Sequence, residues 1–164
     1  MAQSNTELTN TTGIRLNTDA CVVIVKTEWN SNVVSKLEEG CIRILVRNKI
    51  CYKVFEVPGA IEIPFAIKSF WDNNQYRQDK PTAFIALGCI IRGDTPHFEY
   101  VSNFVSQGIL QLNMQLPIPT IFGVLTVNDE QQADERTGGM HGHKGEEAAA
   151  TAIKMMALLQ SFKI

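Results

Sequence analysis

Nine consecutive residues, Ala83 to Ile91, carry no charge and are nearly all apolar. No other stretch constrains the fold as tightly. A run of that length, rich in Ile and bounded by polar residues, suits a strand buried on both faces of a parallel sheet. Arg92-Gly93-Asp94-Thr95-Pro96-His97 follows at once. Thr95 can cap a helix with its hydroxyl, and Pro96 fits the first helical position, where its missing N–H is not needed. Phe98, Val101, Val105, Ile109 and Leu112 then recur at helical spacing. The spacing predicts that His97 stands in the first turn of a helix, just past the carboxyl end of a buried strand. Ligands of open α/β sheets bind there.

The rest of the chain repeats the pattern. Residues 1–19 are rich in Asn and Thr and read as an arm, disordered alone or ordered only against a partner. Residues 20–164 read as one domain. Ala20–Val25 is the first buried strand, followed by a loop with Trp29 and Asn30. Ser31 or Asn32 can cap a helix whose apolar face is Val34, Leu37, Cys41, Ile44 and Leu45. Cys51–Val57 is a more polar strand that suits a sheet edge. Pro58-Gly59 turns the chain into a helix from about Ile61 to Trp71, and residues 73–80 are a loop. Thr120–Val127 is the fourth strand. Asn128 with Gln131 resembles a capping box for a short helix. A glycine-rich loop, Gly138–Gly145, opens a final helix over Glu146–Phe162, with Ala149, Ile153, Met156 and Leu159 on its buried stripe. Four strands alternating with helices predict a three-layer α/β/α sandwich around a four-stranded parallel sheet, flavodoxin-like, with right-handed crossovers.

Composition narrows the function classes. A chain of 164 residues needs no disulfide or metal to hold a core. A net charge of −2 with no basic stripe argues against nucleic acid. No apolar run approaches the ~20 residues of a membrane span, and the polar N-terminus lacks a signal core, so a cytoplasmic protein is expected. Cys21, Cys41, Cys51 and Cys89 form no C-x-x-C pair and are expected as buried free thiols.

Four strand ends send loops to the same side: Trp29-Asn30, Pro58 to Glu62, Arg92 to His97, and Val127-Asn128. Trp29 could stack on a flat ring. The helix start after Thr95 offers free N–H groups to an anion, and its positive end disfavours a charged imidazole at His97. From geometry alone, an ordinary strand–turn–helix unit whose histidine bonds a neighbour is an equally good reading. His141-x-His143 has poor spacing for two metal ligands on a helix and no accompanying cluster, so no metal is expected. Lys144-Gly145 misses the Walker pattern, and no G-x-G-x-x-G follows a strand.

Longer motifs add a resemblance. Trp29-Asn30, VPGAIEIPFA (Val57–Ala66), ALGCIIRGDTPHFEYV (Ala86–Val101), PIPTIFGVLT (Pro117–Thr126) and DERTGGMHGHKGEEAA (Asp134–Ala149) together resemble the lumazine synthase family, in order and without large gaps. The resemblance implies condensation of 5-amino-6-(D-ribitylamino)uracil with 3,4-dihydroxy-2-butanone 4-phosphate. It implies no metal or redox cofactor. It implies a homo-oligomer, a pentamer or an assembly of pentamers up to an icosahedral shell, with riboflavin synthase as a partner. It gives His97 the acid/base role. Trp29 would stack on the pyrimidine, with Asn30 beside it. Ala60, Ile61 and Glu62 would hold the ribityl chain, and the backbone of Cys89, Ile90 and Ile91 would read the pyrimidine edge. Asp94 and Thr95 would form the phosphate-side turn, and Arg136 would bind the phosphate. Phe122 would serve an adjacent subunit's site, and Lys144 would face substrate. Three positions depart from the family pattern: Trp29 stands for a usual phenylalanine, Asp94 for a small neutral residue, and GGMHGHKG for a differently built loop. Two other classes remain open at this stage: a non-catalytic binder on the same fold, and a protein whose role is the shell itself.

Overall fold

The alternation of apolar runs with amphipathic stretches becomes a parallel sheet between two helical layers in a computed structural model that describes residues 8–163. The elements run β1 (Cys21–Thr27), α1 (Ser31–Arg47), β2 (Cys51–Val57), a 3-10 turn (Ala60–Glu62), α2 (Ile63–Asn74), β3 (Ala83–Ile91), α3 (His97–Gln115), β4 (Thr120–Val127), α4 (Glu130–Asp134), β5 (Thr137–Gly139), β6 (Gly142–His143) and α5 (Lys144–Ser161). The sheet order is β2-β1-β3-β4, all parallel, with Ile24 opposite Ile85 and Ile85 opposite Ile121. This is the flavodoxin-like sandwich that the sequence predicts, with polar β2 at one edge.

Strand alternation sorts the core into two layers. Val22, Ile24, Ile85 and Leu87 face α1 and α5, while Val23, Val25, Phe84 and Ala86 face α2 and α3. Each fully buried Val, Ile, Leu or Phe among them contributes roughly 1.5–3 kcal/mol. Phe70 joins the edge to the core, with ring centroids 5.1 Å from Phe55 and 6.1 Å from Phe84. On the other face α1 and α5 touch backbone to backbone. A Cβ on Gly145 would lie 2.0 Å from the Leu37 carbonyl oxygen, so only glycine fits.

Several boundaries move. Asn30, not Ser31 or Asn32, precedes the first turn of α1, and it adopts a left-handed backbone with φ 56°. Its carbonyl accepts from Val33 and Val34, while its side chain is used elsewhere. The box at α4 sits one residue later than expected: Asp129 accepts from the Gln132 amide at 2.8 Å, and Gln132 accepts from the Asn128 amide at 2.9 Å. The glycine-rich loop is a two-stranded antiparallel hairpin, β5–β6, and α5 begins at Lys144. Leu159 is only half-buried, and the neighbouring alanines fill the interface with α1 instead. All four cysteines are free, but Cys51 is exposed because it starts the edge strand.

Residues 1–7 of the expected arm lie outside the described residues. Residues 8–19 lie on their own chain rather than waiting for a partner. Ile14 and Leu16 pack against the α1/α5 core layer. The Asn17 amide donates to Gln160 Oε1 at 2.9 Å, and Thr11 Oγ1 donates to Asn48 Oδ1 at 3.0 Å.

Candidate active site

The carboxyl ends of β1, β2 and β3 open into a cleft of about 460 Å³. It exists because each parallel strand ends on the same side and hands the chain to a helix on one face or the other. The Glu28 amide donates to the Val57 carbonyl at 2.9 Å, which holds the loop after β1 against the start of the Pro58 turn. Asn30 Nδ2 donates to the Cys89 carbonyl at 2.8 Å and ties the same loop to the end of β3. The left-handed turn at Asn30 thus has a function in the fold: it aims the amide across the sheet. Trp29 is left 73% exposed at the cleft wall, an unusually bare indole.

Of the residues singled out in the sequence, ten meet here: Trp29, Asn30, Ala60, Ile61, Glu62, Cys89, Ile90, Ile91, Thr95 and His97. His97 is exposed and is the first residue of α3. Its amide donates to Thr95 Oγ1 at 3.4 Å, but Pro96 rather than Thr95 stands at the cap position and no side chain caps the first turn of α3, so the cap position lies one residue later than expected. Burial pushes the Cys89 thiol up to about 11, which keeps it protonated and poorly nucleophilic at neutral pH. Asp94 does not line the cleft, while Gly93 and Thr95 on either side of it do. Thr27, Phe98 and Val101 also line it, and sequence reasoning did not mark them as site residues. Phe98 was visible as the first apolar residue of the α3 stripe, half-buried one turn beyond the strand end.

Beside the cleft, Arg92 clamps two loops. Its Nε donates to Asn128 Oδ1 at 3.0 Å, its guanidinium lies 4.2 Å over the Phe98 ring, and it pairs with Glu99. The hydrogen bond from Arg92 holds the Glu99 carboxyl below its ordinary range.

Three expected site residues are elsewhere on the chain. Phe122 and Lys144 line a second groove, of about 380 Å³, along β4 and α5. Lys144 Nζ donates to both carboxylate oxygens of Glu147, at 2.9 and 2.8 Å. Arg136 Nη1 donates to the Gln132 carbonyl at 2.8 Å. The Lys144 amide donates to the Arg136 carbonyl at 2.8 Å, so the two cations flank the hairpin side by side. Among the described residues no group of three or more His, Cys, Asp or Glu could hold a metal ion, and no helix is long and apolar enough to cross a membrane.

A mostly apolar cleft at the carboxyl edge of a parallel sheet, with a bare indole, a histidine at a helix start and few polar groups, defines a flavodoxin-like α/β protein with a cleft of the size and lining that suit a small molecule. The comparisons sharpen that class. The sequence model of the 6,7-dimethyl-8-ribityllumazine synthase family matches residues 19–160. A protein of that name from Parabacteroides distasonis is 45% identical over 136 residues, covering 81% of this chain and 82% of the relative. One from Porphyromonas gingivalis is 45% identical over 143 residues, covering 85% and 86%. One from Bdellovibrio bacteriovorus is 43% identical over 143 residues, covering 85% and 75%. The chain belongs to the 6,7-dimethyl-8-ribityllumazine synthase family. Its activity is the transferase-type condensation of 5-amino-6-(D-ribitylamino)uracil with 3,4-dihydroxy-2-butanone 4-phosphate, a step of riboflavin biosynthesis.

Proposed function

We propose that this condensation runs in a site assembled from two neighbouring chains of a homo-oligomer. One chain supplies the cleft, with Trp29, Asn30, Ala60 to Glu62, Cys89 to Ile91, Thr95 and His97. Its neighbour supplies Phe122, Arg136 and Lys144. The observation that carries this reading is the separation of the two sets: the first lines one cleft, while Phe122 and Lys144 line another groove. Phe122 is 43% exposed on a sheet-edge strand, where an unpaired edge and bare aromatic invite a second chain. Phe104 and Tyr100 add a second exposed apolar face on α3.

The chemistry follows from the groups present. The indole of Trp29 holds the pyrimidine flat. Glu62 and the backbone of the 3-10 turn take the ribityl hydroxyls. Thr95 and the positive amino end of α3 receive the phosphate, with Arg136 of the neighbour closing over it. The pyrimidine amine adds to the ketone and water leaves to give an imine. Elimination of phosphate follows, and the exocyclic ribitylamino nitrogen attacks the remaining carbonyl to close the new ring with loss of another water. His97 takes and returns the protons that these steps move. Holding both substrates in one orientation supplies much of the rate.

We take the oligomer to be a pentamer, alone or joined into a larger shell that could receive riboflavin synthase, with residues 20–164 as the catalytic unit. A cytoplasmic location fits four free thiols. Light scattering on active protein tests the assembly. The expected result is the mass of a pentamer or a multiple of it, with specific activity falling as dilution lowers that mass. A monomer with full specific activity would overturn the shared site.

A further inference from the structure

The hairpin β5–β6 meets α1 in an unusual way. His143 ends β6 and precedes the first turn of α5. Its ring rests on Gly40, in the interior of α1. A Cβ built on Gly40 would lie 2.1, 2.5 and 2.6 Å from three atoms of that ring. Glycine is the poorest helix former after proline, so α1 gives up local propensity at the one place where the imidazole needs the space. His143 Nδ1 is sealed from solvent and has no hydrogen-bond partner among the described residues. Such a nitrogen is unfavourable to bury, so shape rather than polarity holds the ring there. Nearby charges are already engaged: Arg43 bonds Glu146 at 2.6 Å, and Glu147 bonds Lys144. Burial keeps His143 below its ordinary pKa, which leaves the seated ring neutral.

The seat lies at the base of the hairpin. Thr137 pairs with His143 across it, and Arg136 and Lys144 flank that pair, joined by their own backbone hydrogen bond. A shift of the base therefore moves both cations together. We infer that His143, seated on Gly40, is a positioning residue that sets Arg136 and Lys144 for the phosphorylated substrate. The inference rests on the reading of Arg136 as the phosphate clamp. Its physical content is that a bidentate guanidinium loses its fit to phosphate when its backbone drifts by even ~1 Å.

The test uses full-length assembled protein, with each substrate varied in turn and melting recorded for every variant. His143→Ala is expected to raise KM for the butanone phosphate about three- to tenfold, with kcat and KM for the pyrimidine within about twofold. Gly40→Ala should reproduce that shift, since its methyl displaces the ring. In the His143→Ala background Gly40→Ala should add nothing, because the three nearest atoms its methyl would meet all belong to that ring. In an Arg136→Ala background His143→Ala should also add little. The inference is overturned if Arg136→Ala raises the phosphate KM while His143→Ala leaves it unchanged. It is equally overturned if His143→Ala raises both KM values and lowers the melting temperature together, which marks a merely structural role. If Arg136→Ala itself leaves the phosphate KM unchanged, the clamp reading fails first and this inference falls with it. Should Gly40→Ala fail to fold, the His143→Ala and Arg136→Ala cycle decides alone.

Discussion

His97 begins a helix at the rim of a cleft, so a change there should touch proton transfer before it touches binding. His97→Ala is expected to lower kcat by roughly 10²–10⁴-fold, with both KM values nearly unchanged. Steady-state rates with each substrate varied check it. An unchanged kcat would remove His97 from the acid/base role. Trp29 makes the opposite case. Its ring is 73% exposed, so its contribution should lie in binding rather than in stability. Trp29→Phe should stay active, because a benzene ring still stacks. Trp29→Ala should weaken the pyrimidine substrate severalfold, in line with ~1 kcal/mol for an aromatic pair. Equal affinity in the alanine variant would make Trp29 a bystander at the rim.

At the scale of elements, legibility followed the strength of the local signal. The bounds of β3 and β4 were readable to the residue, because both are apolar runs cut off by polar or Pro residues. The start of α1 was off by one because Asn30 works through its backbone, and a left-handed turn leaves no periodic trace. The box at α4 slipped because Asn128-Asp129 offers two adjacent capping residues and Gln131-Gln132 two adjacent acceptors. The hairpin was not legible: strands of three and two residues have no period to detect. Ile14 and Leu16 were too sparse to announce that residues 8–19 would find a seat on α1 and α5. The hairpin also carries a pH signature. His143 has its pKa lowered by burial, from an ordinary value of 6.5. The unfolded chain therefore takes up a proton first as pH falls through 6.5, while the native chain does not. Stability is complete above that pH and declines below it, until the native pKa is reached. Urea midpoints measured from neutral pH downward should fall more for the wild type than for His143→Ala. Parallel curves would show that His143 is not protonated differently in the two states.

At the scale of the molecule, the residues marked in the sequence part into two groups. The ten cleft residues come from three consecutive strand ends and the turns after them, which parallel topology must bring together. Phe122 sits mid-strand on β4 at the opposite edge from β2, and Lys144 opens α5 beside it. Spacing along one chain carries no sign of the proposed sharing between chains. The resemblance does, because it carries the neighbour's part with it. The most direct test mixes two inactive variants, Phe122→Asp and His97→Ala, by dissociating and reassembling them in verified mixed oligomers. Some neighbouring pairs then join an intact His97 to an intact Phe122. Partial recovery of lumazine formation is the result that the shared site predicts. Mixed oligomers with no more activity than either variant alone would contradict it.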